Sequence, residues 1–304
     1  MQELEELTKC TICPHSCGIN RLAKQKGRCG AAADTVRIAL ASVHHFEEPC
    51  ISASRGSGTV FFSHCTMKCE FCQNYEISQL GKGKEITIEE LAAIFLRLQE
   101  KQVHNINLVT PTSYGPQIRR AIDLARKRGL HLPIVYNTNG YETVETVKKW
   151  EGYVDVYLPD LKYADDGLAK CLSHVEHYFA TATQAILEMQ RQVGDCVLDK
   201  EGVMQKGIII RHLILPNHVV NTRNVLKWIN DYLPDVYVSI MAQYFPTYRA
   251  KEIEEINRKI TKEEYQQVVR FLDRLVIKNG YLQELGEHEE EYVPKWENEF
   301  WENE

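Results

Sequence analysis

The chain has 304 residues, enough for one α/β barrel or for two smaller domains. Hydrophobic residues make up 44% and charged residues 26% of the chain, as in ordinary globular proteins. No apolar run approaches the roughly 18 residues that span a bilayer. This composition excludes a membrane-embedded or collagen-like protein.

The net charge of −6 is unevenly distributed along the chain. Residues 284–304 contain nine Glu and one Lys, whereas the rest is nearly neutral and lacks the basic stripe of a nucleic-acid-binding protein. We expect this acidic tail to be a solvated terminus rather than a docking segment, although it contains Trp296, Phe300 and Trp301. The acidic start of the chain lacks the apolar core of a secretory signal, which predicts a cytoplasmic protein with reduced or metal-bound cysteines.

Short apolar segments alternate with helical patterns between about residues 58 and 280. The predicted strands are Gly58–Phe62, Asn105–Val109, Leu132–Asn137, Val154–Asp160, Gly207–Leu215 and Val236–Met241. Helical periodicity follows them, starting at capping boxes in Thr87–Glu90 and Thr261–Glu264 and covering residues 118–125, 144–150, 186–190 and 225–229. Six βα units in series predict an α/β fold with parallel strands, either an open sheet or a barrel.

Three cysteines directly follow the first predicted strand, in the segment Cys65-Thr-Met-Lys-Cys69-Glu-Phe-Cys72. A zinc knuckle or buried small hydrophobes would explain the spacing alone. The position after strand one of a βα series instead resembles the radical S-adenosylmethionine (SAM) enzymes, which carry C-x3-C-x-φ-C there. The resemblance implies a partial (βα)6 barrel in which three thiolates hold a [4Fe-4S] cluster with one open iron. It also implies that SAM binds this iron and is cleaved to a 5′-deoxyadenosyl radical, which abstracts hydrogen from a substrate.

Residues 58–245 resemble most closely the activating enzymes of glycyl radical enzymes, such as pyruvate formate-lyase activase. Asn137-Thr138-Asn139-Gly140 is similar to their Asp-Thr-Asn-Gly, Asp160-Leu161-Lys162 matches their Asp-Leu-Lys, and Arg211 matches their strand-five arginine. Two differences stand out: Asn137 replaces an aspartate, and Thr110-Pro111-Thr112-Ser113 replaces the Gly-Gly-Glu-Pro segment that contacts the SAM amino group. The implied SAM-binding residues are Phe71, Thr110, Asn137, Thr138, Asp160, Lys162 and Arg211. The alternative is that Lys162 and Arg211 form ion pairs with a purely structural role.

Four further cysteines, Cys10, Cys13, Cys17 and Cys29, lie in the first 29 residues. Such a set fits a tetrahedral zinc site or a second Fe-S cluster, and the sequence does not choose between the two metals. His15 could replace one thiolate. A similar leader occurs in radical SAM proteins associated with the Memo and AMMECR proteins. We therefore predict a Cys-rich extension over residues 1–50, a barrel over 51–283 and a tail over 284–304.

Other candidates carry weaker signals. Cys50, Cys171 and Cys196 are isolated in the sequence and are expected to be core or surface thiols. His44-His45 and Glu47-Glu48 are expected in a solvated loop, and Tyr244, Tyr248 and Arg249 follow the last predicted strand, on the rim of the site.

Two classes of function remain open at this point. The first is a radical SAM enzyme that takes electrons from a flavodoxin or ferredoxin. Its expected substrate is a macromolecule such as a glycyl radical enzyme, and the alternative is a peptide or a small molecule. The second is a non-catalytic Fe-S or zinc electron-transfer protein. The resemblances at strand ends favour the enzyme, because a redox module has no use for a SAM-sized pocket.

Overall fold

The structure is a computed structural model that describes residues 2–286 and Trp296. In this part of the chain the strands are β1 Val36–His44, β2 Ser57–Phe62, β3 Lys84–Ile86, β4 Ile106–Val109, β5 Ile134–Thr138, β6 Val156–Pro159, β7 Val197–Leu198, β8 Met204–Leu213, β9 Tyr237–Met241 and β10 Gly280–Leu282. The α-helices are α1 Pro49–Ser52, α2 Tyr75–Ser78, α3 Ile88–Glu100, α4 Gly115–Lys127, α5 Val144–Lys148, α6 Asp166–Ser173, α7 Tyr178–Val193, α8 Val219–Tyr232 and α9 Lys262–Leu272. Short 3-10 helices cover Gln2–Leu7, Thr112–Tyr114, Tyr248–Glu252 and Glu254–Ile256.

The strands form one sheet in the order β10-β9-β8-β6-β5-β4-β2-β1-β3, and β7 pairs with β8 as a short antiparallel branch. From β10 to β2 all neighbours are parallel, whereas β1 and β3 are antiparallel additions at one edge. The two ends of this order, β10 and β3, do not pair with each other. The sheet is therefore an open, partial barrel, as the sequence predicts.

The six predicted strands correspond to β2, β4, β5, β6, β8 and β9. Both predicted capping boxes are present, since Thr87 and Glu90 bond reciprocally and so do Thr261 and Glu264. Gly129 follows α4 with a φ of +103°, a conformation that suits glycine at a helix end. These local signals were reliable because they depend on neighbouring residues only.

The strands β1, β3, β7 and β10 and the helices α1, α2 and α6 were not predicted. β1 belongs to the predicted Cys-rich extension, yet it pairs with β2 from Ile38 to His44. α7 begins eight residues before the predicted segment, because Ala182 and Ala185 extend the buried face formed by Ile186 and Met189.

The segment after β1 enters the end of the barrel where the strands begin. The side-chain amide of Asn105, the residue before β4, donates to the carbonyl of Ile51 at 2.9 Å, and the hydroxyl of Ser57 donates to Asn105 at 2.6 Å. Helix α1 thus covers the amino-terminal ends of the strands, opposite the end where β2 leads into the cysteines. No helix within the described ranges has the length and apolarity needed to cross a membrane.

Candidate functional site

The loop after β2 carries three cysteines whose sulfur atoms all have polar neighbours. Cys65 and Cys69 are buried and Cys72 is partly buried. The amide of Asn139 donates to Sγ of Cys65 at 3.3 Å. The hydroxyl of Ser173 donates to Sγ of Cys69 at 3.0 Å, and Ser78 Oγ lies 3.2 Å from Sγ of Cys72. Hydrogen bonds of this kind stabilise thiolates that bind metal.

The same loop is fixed to the end of helix α6. The backbone N–H of Lys68 donates to the carbonyl of Ser173 at 3.2 Å, and that of Glu70 donates to Leu172 at 2.9 Å. The Glu70 carboxylate also lies 3.2 Å from Nε of Arg249, one of the rim residues suggested by the sequence. The positions of the cysteines are therefore set by packing against α6 as well as by their own loop.

A cavity of about 240 Å³ lies between this loop and the carboxyl ends of the parallel strands. Its wall includes Cys69 and Cys72 together with five of the predicted SAM-binding residues, namely Phe71, Asn137, Asp160, Lys162 and Arg211. These five come from the cysteine loop and from the ends of β5, β6 and β8. In α/β barrels the carboxyl ends of the strands form the functional face.

Asp160 connects the charged groups of the cavity. Its Oδ1 accepts from Nε of Arg211 at 2.9 Å, and its Oδ2 lies 2.5 Å from Nζ of Lys162. Arg211 also donates to Oδ1 of the Asn137 side chain at 2.5 Å and lies 3.5 Å from a Glu47 oxygen. Burial opposes ionisation of Asp160, but the two cations prevail and lower its pKa. Asp160 therefore stays ionised at neutral pH.

Two of the predicted SAM-binding residues do not line this cavity. Thr138 donates instead to Glu142 at 2.7 Å, and the hydroxyls of Thr112 and Tyr136 reach the same oxygen at 2.6 and 3.1 Å. Thr110 lies at the end of β4 with a φ of +60°, and its backbone N–H donates to the carbonyl of Asn137. Within the segment 110–113, Thr112 therefore bonds Glu142, and none of the four residues lines the cavity.

Gly140 is required where it stands. Its φ is +79°, and a Cβ at this position would collide with the carbonyl oxygen of Asp160. This close approach keeps the ends of β5 and β6 together, and the hydroxyl of Tyr178 reinforces it by reaching the carbonyls of Asn139 and Asp160, each at 2.9 Å. Only glycine can adopt this left-handed backbone conformation and also leave room for the carbonyl oxygen of Asp160.

The leader cysteines lie above the same end of the barrel. Cys10 and Cys13 are buried, Cys29 is partly buried and Cys17 is exposed. Burial raises the pKa of Cys13 to about 12, and the nearby thiols of Cys29 and Cys10 add to this effect. Across residues 2–286 and Trp296, no three His, Cys, Asp or Glu side chains converge on a single metal-ion position. The predicted leader metal site stays a prediction.

Contacts with the barrel hold the leader in place. Nε2 of His15 donates to the carbonyl of Thr66 at 2.7 Å, inside the cysteine loop. Thr146 donates to the carbonyl of Ile12 at 2.9 Å, and Arg28 donates to the carbonyl of His174 at 2.7 Å. Most of the acidic tail lies outside the described residues, but the ring of Trp296 packs edge-on against Phe61, with 5.4 Å between centroids.

Comparison with known families identifies the chain. The family model of the Radical SAM superfamily matches residues 59–199. An uncharacterized protein of Methanocaldococcus jannaschii is 32% identical over 275 residues, which cover 87% of this chain and 74% of that protein. The chain belongs to the radical SAM superfamily.

The chain also has more distant similarities to known proteins. The pyruvate formate-lyase-activating enzyme of Clostridium pasteurianum is 26% identical over 200 residues, covering 64% of this chain and 76% of that enzyme. Among solved structures, methylornithine synthase superposes with a TM-score of 0.46 at 18% identity, and SuiB of Streptococcus suis bound to SAM with 0.47 at 13%. The matches cover 69% and 72% of this chain, but only 59% and 48% of those structures.

Radical SAM proteins imply a [4Fe-4S] cluster and SAM, and the arrangement of residues fits both groups. Burial raises the pKa of the Cys69 thiol to about 12, whereas the Lys162 ammonium lowers it. Three thiols in such surroundings become thiolates only beside further positive charge, which cluster iron supplies. Asp160, Lys162 and Arg211 line the same cavity as Cys69 and Cys72, and their charges suit the carboxylate and hydroxyl groups of SAM.

Sequence reasoning missed three buried carboxylates. Glu47 and Glu48 were expected in a solvated loop, but both lie inside the barrel because the segment after β1 turns inward. Glu142 is 1% exposed and bonds three hydroxyls. The signal available for the first pair was the sequence Glu47-Glu48-Pro49, since proline at the first turn marks a helix start, and α1 begins there.

Proposed function

We propose that this protein holds a [4Fe-4S] cluster through Cys65, Cys69 and Cys72 and uses it to cleave SAM reductively. The observation that carries the proposal is one cavity that joins Cys69 and Cys72 to the Asp160, Lys162 and Arg211 network. When bound, the cluster would supply the electron that releases a 5′-deoxyadenosyl radical from SAM. This electron would come from a flavodoxin or ferredoxin.

The described side chains have separate tasks in this scheme. Lys162 and Arg211 provide cations that would hold the SAM carboxylate, while Asp160 keeps both of them oriented and would accept from ribose hydroxyls. Phe71 is 7% exposed and presents an apolar wall for the adenine. Tyr244 packs against Phe71 with 6.0 Å between ring centroids, which limits the rotation of that ring. Burial of the cavity wall would keep bulk water from the radical.

Leader cysteines form the second part of the proposal. Cys10, Cys13, Cys17 and Cys29 would bind zinc or a second cluster, and the His15 contact to Thr66 would couple this site to the cysteine loop. Four thiols so close in sequence have little structural reason to coexist without a metal in a reducing compartment.

A small molecule or peptide end is favoured as substrate over the protein loop of a glycyl radical enzyme. Glu47 and Phe46 lie in the wall of the cavity that holds the cysteines. The neighbouring cavity measures about 390 Å³ and shares both residues. Space of this size accommodates a metabolite, and the segment that lines it occupies the barrel interior that a protein loop would need.

Anaerobic reconstitution tests the proposal. The parent protein is loaded with iron and sulfide, reduced with dithionite and supplied with SAM, and 5′-deoxyadenosine is measured by mass spectrometry. We expect cluster absorption and 5′-deoxyadenosine from the parent, and neither from Cys69→Ala. Cys171→Ala is the matched control because Cys171 is exposed. Intact SAM in the loaded, reduced parent would instead favour a non-catalytic electron-transfer protein.

A further inference from the structure

A second cavity of about 390 Å³ adjoins the one that contains the cysteines. The two cavities share five residues in their walls, namely Phe46, Glu47, Arg211, Met241 and Gln243. Glu48 and Ser239 line the second cavity, whereas neither lines the first. A molecule in the second cavity would thus lie next to SAM, on the side away from the cysteines.

Glu48 is buried there with an uncommitted oxygen. Glu48 is only 8% exposed, and its Oε2 has no hydrogen-bond partner among the described residues. Burial and the neighbouring Glu47 raise the pKa of Glu48, although the Arg211 guanidinium and the Ser239 hydroxyl act in the opposite direction. A buried oxygen without a partner costs about 1 to 3 kcal/mol, and more if it is charged. A ligand donor at this position would remove that cost.

The other carboxylates of the site already have their partners. Both oxygens of Asp160 bind cations, as Arg211 and Lys162 are 2.9 and 2.5 Å away. Oε1 of Glu47 accepts from the amide of Asn107 at 3.0 Å, and its Oε2 faces Arg211 at 3.5 Å. Of the three carboxylates Glu47, Glu48 and Asp160, Glu48 is the one with an oxygen that has neither a hydrogen-bond donor nor a cation beside it in the described part of the chain.

The formal charges that line the two cavities also favour a cationic ligand. The described residues that line the two cavities include three carboxylates, Glu47, Glu48 and Asp160, against two permanent cations, Lys162 and Arg211. SAM in the first cavity would not reach Glu48, because Glu48 lines only the second. With all of these groups ionised, the lining carries one more negative than positive charge, which a cationic group of a ligand would balance.

We propose that the second cavity is the substrate site, and that Glu48, next to Glu47, binds a protonated nitrogen of a small substrate. The substrate class is thus an amine or guanidine that fits beside SAM. Ser239 would accept or donate a further hydrogen bond at the same end of the cavity. This inference rests on the proposed function, since the term substrate presupposes SAM cleavage next to it.

Paired probes test the charge requirement. The reconstituted, unreduced protein is saturated with SAM and titrated calorimetrically with L-lysine and L-norleucine, L-arginine and L-citrulline, and cadaverine and 1,5-pentanediol. In each pair one compound is cationic and the other is its neutral counterpart at the terminal group. We expect the cationic compound of at least one pair to bind at least tenfold more tightly than its neutral counterpart.

Two variants test whether Glu48 is responsible for the tighter binding of the cationic probe. Glu48→Gln keeps the shape of the side chain and should weaken the cationic probe at least tenfold, whereas Glu201→Gln, at an exposed turn residue, should bind as the parent does. Equal binding within every pair in the parent overturns the proposal without recourse to any variant. Equal binding by parent and Glu48→Gln overturns the role of Glu48. Failure of the parent to bind SAM would instead contradict the proposed function, and a separate calorimetric titration with SAM alone measures it.

Discussion

Asp160 and Arg211 are joined twice, through their side chains and through their backbones. Nε of Arg211 donates to Oδ1 of Asp160 at 2.9 Å, and the two residues form a parallel bridge that extends the pairing of β6 and β8. The N–H of Leu161 continues it by donating to the Arg211 carbonyl at 2.8 Å. The ion pair is therefore built on rigid backbone, and its orientation needs no ordering when a ligand binds.

Replacing Asp160 tests this preorganisation. Asp160→Asn removes the charge that orients both Lys162 and Arg211, so SAM should bind more weakly by about 1.5 to 3 kcal/mol, the usual value of a charged hydrogen bond. This corresponds to roughly 10- to 150-fold in Kd. Calorimetry on the reconstituted protein measures it, with Asp195→Asn as an exposed control. An unchanged Kd would show that the resemblance to the activases fails at Asp160.

Ser173 should tune the cluster without being needed to bind it. Tyr163 and Ser173 hydroxyls lie 2.6 Å apart, and Ser173 donates onward to Sγ of Cys69. Hydrogen bonds to ligating sulfur stabilise the reduced cluster, so Ser173→Ala should lower the reduction potential while iron content stays the same. A redox titration followed by electron paramagnetic resonance measures the potential. The control is Ser54→Ala, at an exposed position, and identical potentials in all three proteins would refute this role.

The leader metal site can be tested by removing ligands in pairs. A Cys13→Ser, Cys29→Ser variant should lose one zinc ion or one cluster while the Cys65 loop keeps its iron. Metal analysis by mass spectrometry, with Cys171→Ser as control, gives the count and identifies the metal. Identical metal content in variant and parent would mean that the leader thiols do not bind metal.

Glu142 should make stability depend on pH. Burial raises its pKa from the ordinary value of 4.5 to about 7, although hydroxyls of Thr112, Thr138 and Tyr136 lower it. Below pH 4.5 the carboxyl is protonated in both folded and unfolded chains. As the pH rises from 4.5 to 7, only the unfolded chain ionises fully, so stability falls by about 3 kcal/mol in total and then levels off.

Glu142→Gln removes this titrating group and should therefore flatten that part of the pH profile. Thermal unfolding midpoints of parent and variant, recorded from pH 4.5 to 8 at equal cluster loading, measure the difference. The advantage of the variant should grow with pH up to about 7, near the raised pKa. Parallel profiles would contradict a raised pKa at Glu142.

The sequence predicted those parts of the fold that depend on local pattern. Continuous apolar segments identified six parallel strands, and Thr87 and Thr261 marked the starts of two helices. β10 was missed because it has three residues, Gly280–Leu282, and its pairing to β9 is a long-range property. β1 was missed because the cysteines and the loops around them dominate the first 50 residues.

In the candidate site, too, some residues could be predicted from the sequence, whereas those placed by long-range contacts could not. Asp160, Lys162 and Arg211 were assigned by resemblance, and the convergence of strand ends at one face of a parallel sheet agreed with that assignment. Glu47 and Glu48 were not predicted, since their approach to Arg211 depends on a segment more than 160 residues away in sequence. Thr110 was assigned by resemblance, but it has a left-handed backbone conformation and does not line the cavity.

The hydrogen bond from His15 to the Thr66 carbonyl has a consequence for how the molecule comes apart. It links the leader to the cysteine loop, which is itself fixed to α6 through Lys68 and Glu70. Segments connected in this way open together, as one cooperative unit, rather than fraying one by one. Loss of order in the cysteine loop would release the leader as well, so that protease cleavage near the amino terminus would report the condition of a loop some fifty residues away.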